Sequence, residues 1–134
     1  MLTSVSGSSK YFSGGIIAYS NQVKHRIVGV RSETLKKYGA VSAEVAREMA
    51  QGVCRRFKTD IGLAITGIAG PLGGTSKKPV GTVYICITTE QYVCTEHHLF
   101  SGQRDQIRKA ACNKALHFLK RVLVKKHDSE AMKT

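Results

Sequence analysis

Acidic residues, long apolar runs and paired cysteines are all scarce in this chain, and each shortage narrows what it can do. Only 9 aspartates and glutamates stand against 21 lysines and arginines, a formal charge of +12 over 134 residues. That imbalance implies a polyanionic partner or a small anionic substrate drawn to a basic surface. The longest apolar runs, such as Val83 to Ile87 and Gly62 to Ile65, fall far short of the ~20 residues a membrane-spanning helix needs, so no membrane role is expected. The N-terminus, Met-Leu-Thr-Ser-Val-Ser-Gly-Ser-Ser-Lys, lacks the basic start and apolar stretch of a secretory signal, and a cytoplasmic protein is expected. Cys54, Cys86, Cys94 and Cys112 show no Cys-x-x-Cys spacing and have mostly apolar neighbours. They read as reduced, half-buried thiols. His97 and His98 are adjacent, and on a strand adjacent side chains point to opposite faces, so no structural metal is expected.

What is present fits one domain. Hydrophobic residues make up 42% and charged residues 22% of the sequence, with no repeats, linkers or low-complexity tracts, so a single core is expected over residues 1–126. Residues 127–134 read as a polar, disordered tail. Gly14 to Tyr19 has the look of a short buried strand, and Ser20 or Asn21 can cap a helix through Ile27. Ser32 and Gly39 bracket a second short helix, and Ser42 caps a longer one. In that longer helix Val45, Met49, Val53 and Phe57 form an apolar stripe, with Arg47, Glu48, Gln51 and Arg55 toward water. Ile61 to Thr66 reads as a buried strand, and Val80 to Thr88 with Tyr92 to Phe100 as an antiparallel hairpin. A long helix from about Gln103 to Lys126 completes the order. The fold class is therefore α/β, a single three-layer α/β/α domain whose mixed sheet includes that hairpin.

The final helix carries eight basic residues between Arg104 and Lys126 and only Asp105 as an acid. No aromatic residues interleave with these cations as a stacking platform requires, so a solvated basic face is the better reading and nucleic acid an unfavoured partner. The chemistry-bearing residues lie elsewhere. Ser9, Tyr19 and Lys24 offer a hydroxyl and a lysine, and a lysine becomes a base when burial or neighbouring cations lower its pKa. The stretch Thr66-Gly-Ile-Ala-Gly-Pro-Leu-Gly-Gly74 can bring backbone N–H groups close to an oxyanion or phosphate. It fits neither the Walker nor the dinucleotide-binding pattern. Tyr19 and Thr66 end strands and Lys24 sits one turn into a helix, so all three can meet at the carboxyl edge of the sheet, where open α/β folds bind ligands.

The order of short motifs is more specific than any one of them. Gly7-Ser-Ser-x-x-Phe12, Tyr19-Ser-Asn-x-x-Lys24, Gly29-Val, Thr34-Leu and Gly39-Ala-Val-Ser42 resemble the C-terminal domain of the CinA family. Thr66-Gly-Ile-Ala-Gly-Pro71, Gly73-Gly74, Lys78-Pro-Val-Gly-Thr-Val83 and Phe100-Ser-Gly-x-Arg-Asp105 continue the pattern over nearly the whole chain. The resemblance implies a nicotinamide mononucleotide deamidase, an amidohydrolase of pyridine nucleotide salvage and NAD metabolism that releases ammonia and nicotinic acid mononucleotide. It implies Ser9 as nucleophile, Tyr19 and Lys24 as its activating pair, Thr66 and Gly67 facing the substrate amide, and Arg104 completing the pocket. No metal or organic cofactor is implied.

Members of the family usually carry a further helix, a strand and a Glu-Ser-Cys-Thr-Gly-Gly-like segment ahead of Gly-Ser-Ser, whereas here Met1 stands six residues before Gly7. A domain without that unit should expose apolar surface and associate into a homo-oligomer. Two alternatives stand beside the hydrolase: a shortened, inactive homologue with a structural or regulatory role, and a basic nucleic-acid-binding module related to competence.

Overall fold

The structure, a computed structural model, describes residues 2–133. After a single 3-10 turn, Ser8–Lys10, come α1 (Asn21–Val23), a π-helical turn (Lys24–Val28), α2 (Ser32–Tyr38) and α3 (Ala43–Phe57). Strands β1 (Gly62–Gly67), β2 (Thr82–Thr88) and β3 (Val93–Leu99) and the helix α4 (Arg104–Ala131) complete the chain order. The capping residues act as their chemistry requires. The hydroxyls of Ser20 and Ser42 accept the N–H groups of Val23 and Val45, each at 3.2 Å, satisfying donors that a helix start leaves open. Gln103 and Gln106 form a reciprocal box at the start of α4, with the Gln103 N–H donating to Gln106 Oε1 at 2.8 Å.

The sheet has the order β1-β2-β3 and both pairings are antiparallel. Alternate residues of β2 feed two clusters. Cys86, with Ala64 of β1, joins Val45, Ala46, Met49 and Ala50 of α3 and Val28 and Val30. Val83, Ile85 and Ile87 point the other way, to Ile107, Ala111, Ala115, Phe118 and Val122 of α4. Because successive strand residues face opposite ways, α3 and α4 cover opposite faces of β2.

Several expectations need correction. The sheet is not mixed: its three strands are all antiparallel. The expected short buried strand, Gly14 to Tyr19, is not a strand among the described residues. It runs irregularly alongside the α3 cluster, with Ile16 and Ala18 packed in and Ile17 93% exposed. An apolar run reads as a buried strand, but burial on both faces needs a neighbour on each side, and here only alternate residues find the core. Glu48 does not face water; its carboxylate accepts from the Arg31 N–H, Arg31 Nε and Thr34 Oγ1 at 2.8, 2.9 and 2.7 Å, joining α2 to α3. Cys94 and Cys112 are exposed rather than half-buried, since β3 and α4 each keep an outward side. The helix α4 runs to Ala131, so residues 127–131 continue a helix where a disordered tail was expected. Among the described residues, no helix is long and apolar enough to cross a membrane.

Candidate active site

Lys24 begins the π-helical turn and is only 7% exposed. Two glycines create its position. Gly29, in the left-handed region at φ 93°, ends the turn and donates its N–H back to the Lys24 carbonyl. Gly52 of α3 allows close approach, since a Cβ there would lie 1.9 Å from the carbonyl oxygen of Val28. The turn is thereby pressed onto α3. The Lys24 ammonium donates to the carbonyl of Ala18 at 2.9 Å and forms no salt bridge with a carboxylate among the described residues. Burial pushes its pKa down, because a desolvated ammonium loses hydration that nothing here replaces in full.

The other expected residues differ in exposure and in what they bond. Ser9 is exposed on the 3-10 turn, whose buried residue is Ser8. Tyr19 is 84% exposed. Lys24 Nζ is bonded to Ala18, not to Ser9 or Tyr19. Thr66 is buried near the end of β1, and its hydroxyl donates to the carbonyl of Ala40 at 2.7 Å. That bond ties the strand end to the segment joining α2 and α3. Gly67 comes next, at the surface, where the glycine-rich loop begins.

That loop is held at both flanks. The Ile68 N–H donates to Thr82 O at 2.9 Å and the Gly81 N–H to Ile68 O at 2.7 Å, so the chain closes on itself at its base. Arg104, the first residue of α4, reaches back with a guanidinium N–H to the carbonyl of Gly70 at 2.8 Å. Lys78, which the residue pattern did not single out as a site residue, donates from Nζ to Tyr38 O at 2.6 Å. Its only sequence signal is a cation just before Pro79-Val-Gly. The two cations therefore act on the loop's own carbonyl and on its neighbour.

Chemically, the arrangement can supply a lysine whose pKa burial lowers, an accessible serine hydroxyl and a braced turn of small residues. Comparisons with known proteins find relatives over most of the chain. Residues 1–123 match the family model described as the CinA C-terminal domain. The chain is 51% identical over 123 residues to a CinA-like protein of Syntrophomonas wolfei, covering 92% of this chain and 30% of that protein. A CinA-like protein of Syntrophobacter fumaroxidans is 50% identical over 122 residues, covering 91% here and 29% there. The chain thus spans about 30% of the length of such relatives. Among solved structures it is similar to the competence/damage inducible protein CihA from Agrobacterium tumefaciens, with a TM-score of 0.86 and 37% identity over 90% of this chain and 74% of that one. A CinA superfamily protein from Escherichia coli gives 0.86 and 32%, over 90% and 70%.

Proposed function

The chain belongs to the CinA C-terminal domain family, and from that premise we propose that it hydrolyses the carboxamide of nicotinamide mononucleotide, releasing nicotinic acid mononucleotide and ammonia. The observation that supports this reading is the buried Lys24, bonded among the described residues to a backbone carbonyl and lowered in pKa by desolvation. Neutral Lys24 takes the Ser9 proton, directly or through Tyr19, and Ser9 Oγ attacks the carboxamide carbon. Backbone N–H groups at Thr66 and Gly67 receive the oxyanion; losing one such donor typically costs about 3 kcal/mol of transition-state stabilisation. The protonated lysine returns its proton to the departing nitrogen, ammonia leaves, and water hydrolyses the acyl-enzyme. Arg104 and the loop amides receive the 5'-phosphate.

In this reading the domain is an α/β/α sandwich with α3 and α4 as outer layers, it works in the cytoplasm in pyridine nucleotide salvage, and it associates with copies of itself. The test is ammonia release from nicotinamide mononucleotide. It should vanish in Ser9→Ala and in Lys24→Ala, and activity surviving both changes would sink the assignment. One observation favours a second reading, binding without turnover: Ser9 and Tyr19 both lie in solvent with no hydrogen bond to Lys24. Calorimetric binding of the mononucleotide with no ammonia produced would be its signature.

A further inference from the structure

The basic residues of α4 are not spread evenly around the helix. Lys114, His117, Lys120 and Arg121 recur at spacings of three and four and so share one stripe. This stripe faces Glu96 and His98 of β3 across a recess of about 750 Å³, within the size range of small-molecule sites. Glu96 and His98 pair in register with Ile85 and Val83, which point to the α4 side of the sheet. Thr66 shares the alternation of Ala64 and so lies on the α3 side, with Lys24 in the turn packed there. The recess is therefore on the opposite face of the sheet from the candidate catalytic lysine.

The recess is organised by its one carboxylate. Glu96 accepts from Arg121 and meets His98 Nε2 at 2.8 Å. Burial alone would raise its pKa, and the bonds from Arg121 and His98 together hold it down. Arg121 also lies over the Phe118 ring, and His98 stacks on Phe100. Both are thereby fixed in direction. Lys114 and Lys120 form no salt bridge among the described residues, so positive charge in the recess exceeds negative. From Lys114 to Arg121 the helix rises roughly 10 Å. A chain of two or three phosphates spreads its charge along more of that stripe than a single phosphate does.

We propose that this recess is a binding site for a compact polyphosphate anion, a di- or triphosphate chain, separate from the site of amide hydrolysis. Two elements converging on a concave site favour such an anion over a nucleic-acid strand, which would need a longer stripe with exposed aromatic rings. The experiment is calorimetric titration of the full chain with inorganic tripolyphosphate at low salt. Tripolyphosphate should bind at least about tenfold more tightly than orthophosphate. Lys114→Ala with Lys120→Ala should weaken it about tenfold, a difference of about 1.4 kcal/mol. Lys109→Ala with Lys125→Ala, exposed on the same helix but outside the recess, should change it less than about twofold, as dispersed surface charge would not. In the unsubstituted protein the ring signals of His98 and His117 should shift on titration, which needs no variant to fold. Absence of binding, no preference over orthophosphate, or equal loss in both lysine pairs overturns the proposal. So does displacement by nicotinamide mononucleotide, and so does an oligothymidylate that binds as tightly with the same lysine dependence.

Discussion

Replacing Gly52 by alanine tests whether the burial of Lys24 depends on close contact between its turn and α3. The added Cβ would stand 1.9 Å from Val28 O, 3.0 Å from Val28 C and 3.2 Å from Val28 Cγ1. A carbon and a carbonyl oxygen in contact prefer about 3.3 Å, so the turn must retreat by more than 1 Å. The obstacle is backbone, which cannot swing aside as a side-chain end can. Overpacking of this kind costs about 2–3 kcal/mol, and alanine's better helix propensity returns about 1 kcal/mol. A net loss of about 1–2 kcal/mol remains, roughly 4–8 °C in Tm for a chain of this size. Urea unfolding followed by circular dichroism at neutral pH measures it, and ammonia release should fall further than stability alone explains because Lys24 moves with the turn. An unchanged or raised midpoint would refute the reasoning, since it would mean α3 and the turn were never in contact at this distance.

Other substitutions probe the remaining supports. Lys24→Met should be more stable than the unsubstituted protein at neutral pH: the folded-state pKa is lowered, so the desolvation penalty is complete below it. That penalty fades as pH rises toward the ordinary value of 10.5, and a stability gap that stays constant over this window contradicts the burial argument. Glu48→Gln should cost about 1–2 kcal/mol at pH 7, for the loss of charge-assisted bonds to Arg31 and Thr34. Burial raises the Glu48 pKa but those bonds hold it below 4.5, so the contribution is full above that pH and disappears as pH falls through the folded value; an equal deficit at the lowest pH would count against it. Arg104→Ala should leave stability within about 0.5 kcal/mol, as exposed positions do, while amide exchange at Ile68 and Gly81, whose bonds close the loop, quickens. Unchanged exchange there would mean that the bond to Gly70 does not brace the loop.

The helices were legible because their signals are local. Ser20, Ser42 and the Ser32/Gly39 bracket mark ends that depend on a few neighbouring backbone groups, and the four-residue spacing through Val45 and Met49 marks a buried side. β1 and β2 were legible for the same reason, as apolar runs punctuated by turns, and β3 as the segment that follows β2 across Thr89-Glu90-Gln91. The sheet's composition was not, because Gly14 to Tyr19 has a strand's residues and strand pairing is decided by what lies beside it. Within the candidate site, the motifs singled out Lys24, and its burial depends on Gly52, a residue 28 positions away that no local pattern connects to it. The partners Ala18 O, Ala40 O and Tyr38 O are carbonyls, identical in every residue type, so composition carries no trace of them.

The π-helical turn makes this part of the chain sensitive to length in a way that side-chain chemistry alone would not suggest. A π turn holds one residue more than an α turn in the same span. Deleting a single residue between Lys24 and Val28 would let the segment close to ordinary α geometry over nearly the same span, so the chain on either side would keep its course. What would go is the wide turn itself, and with it the position from which Lys24 reaches the carbonyl of Ala18. Fold and lysine thus answer differently to one change of length: the fold absorbs the missing residue, the seat of the lysine does not.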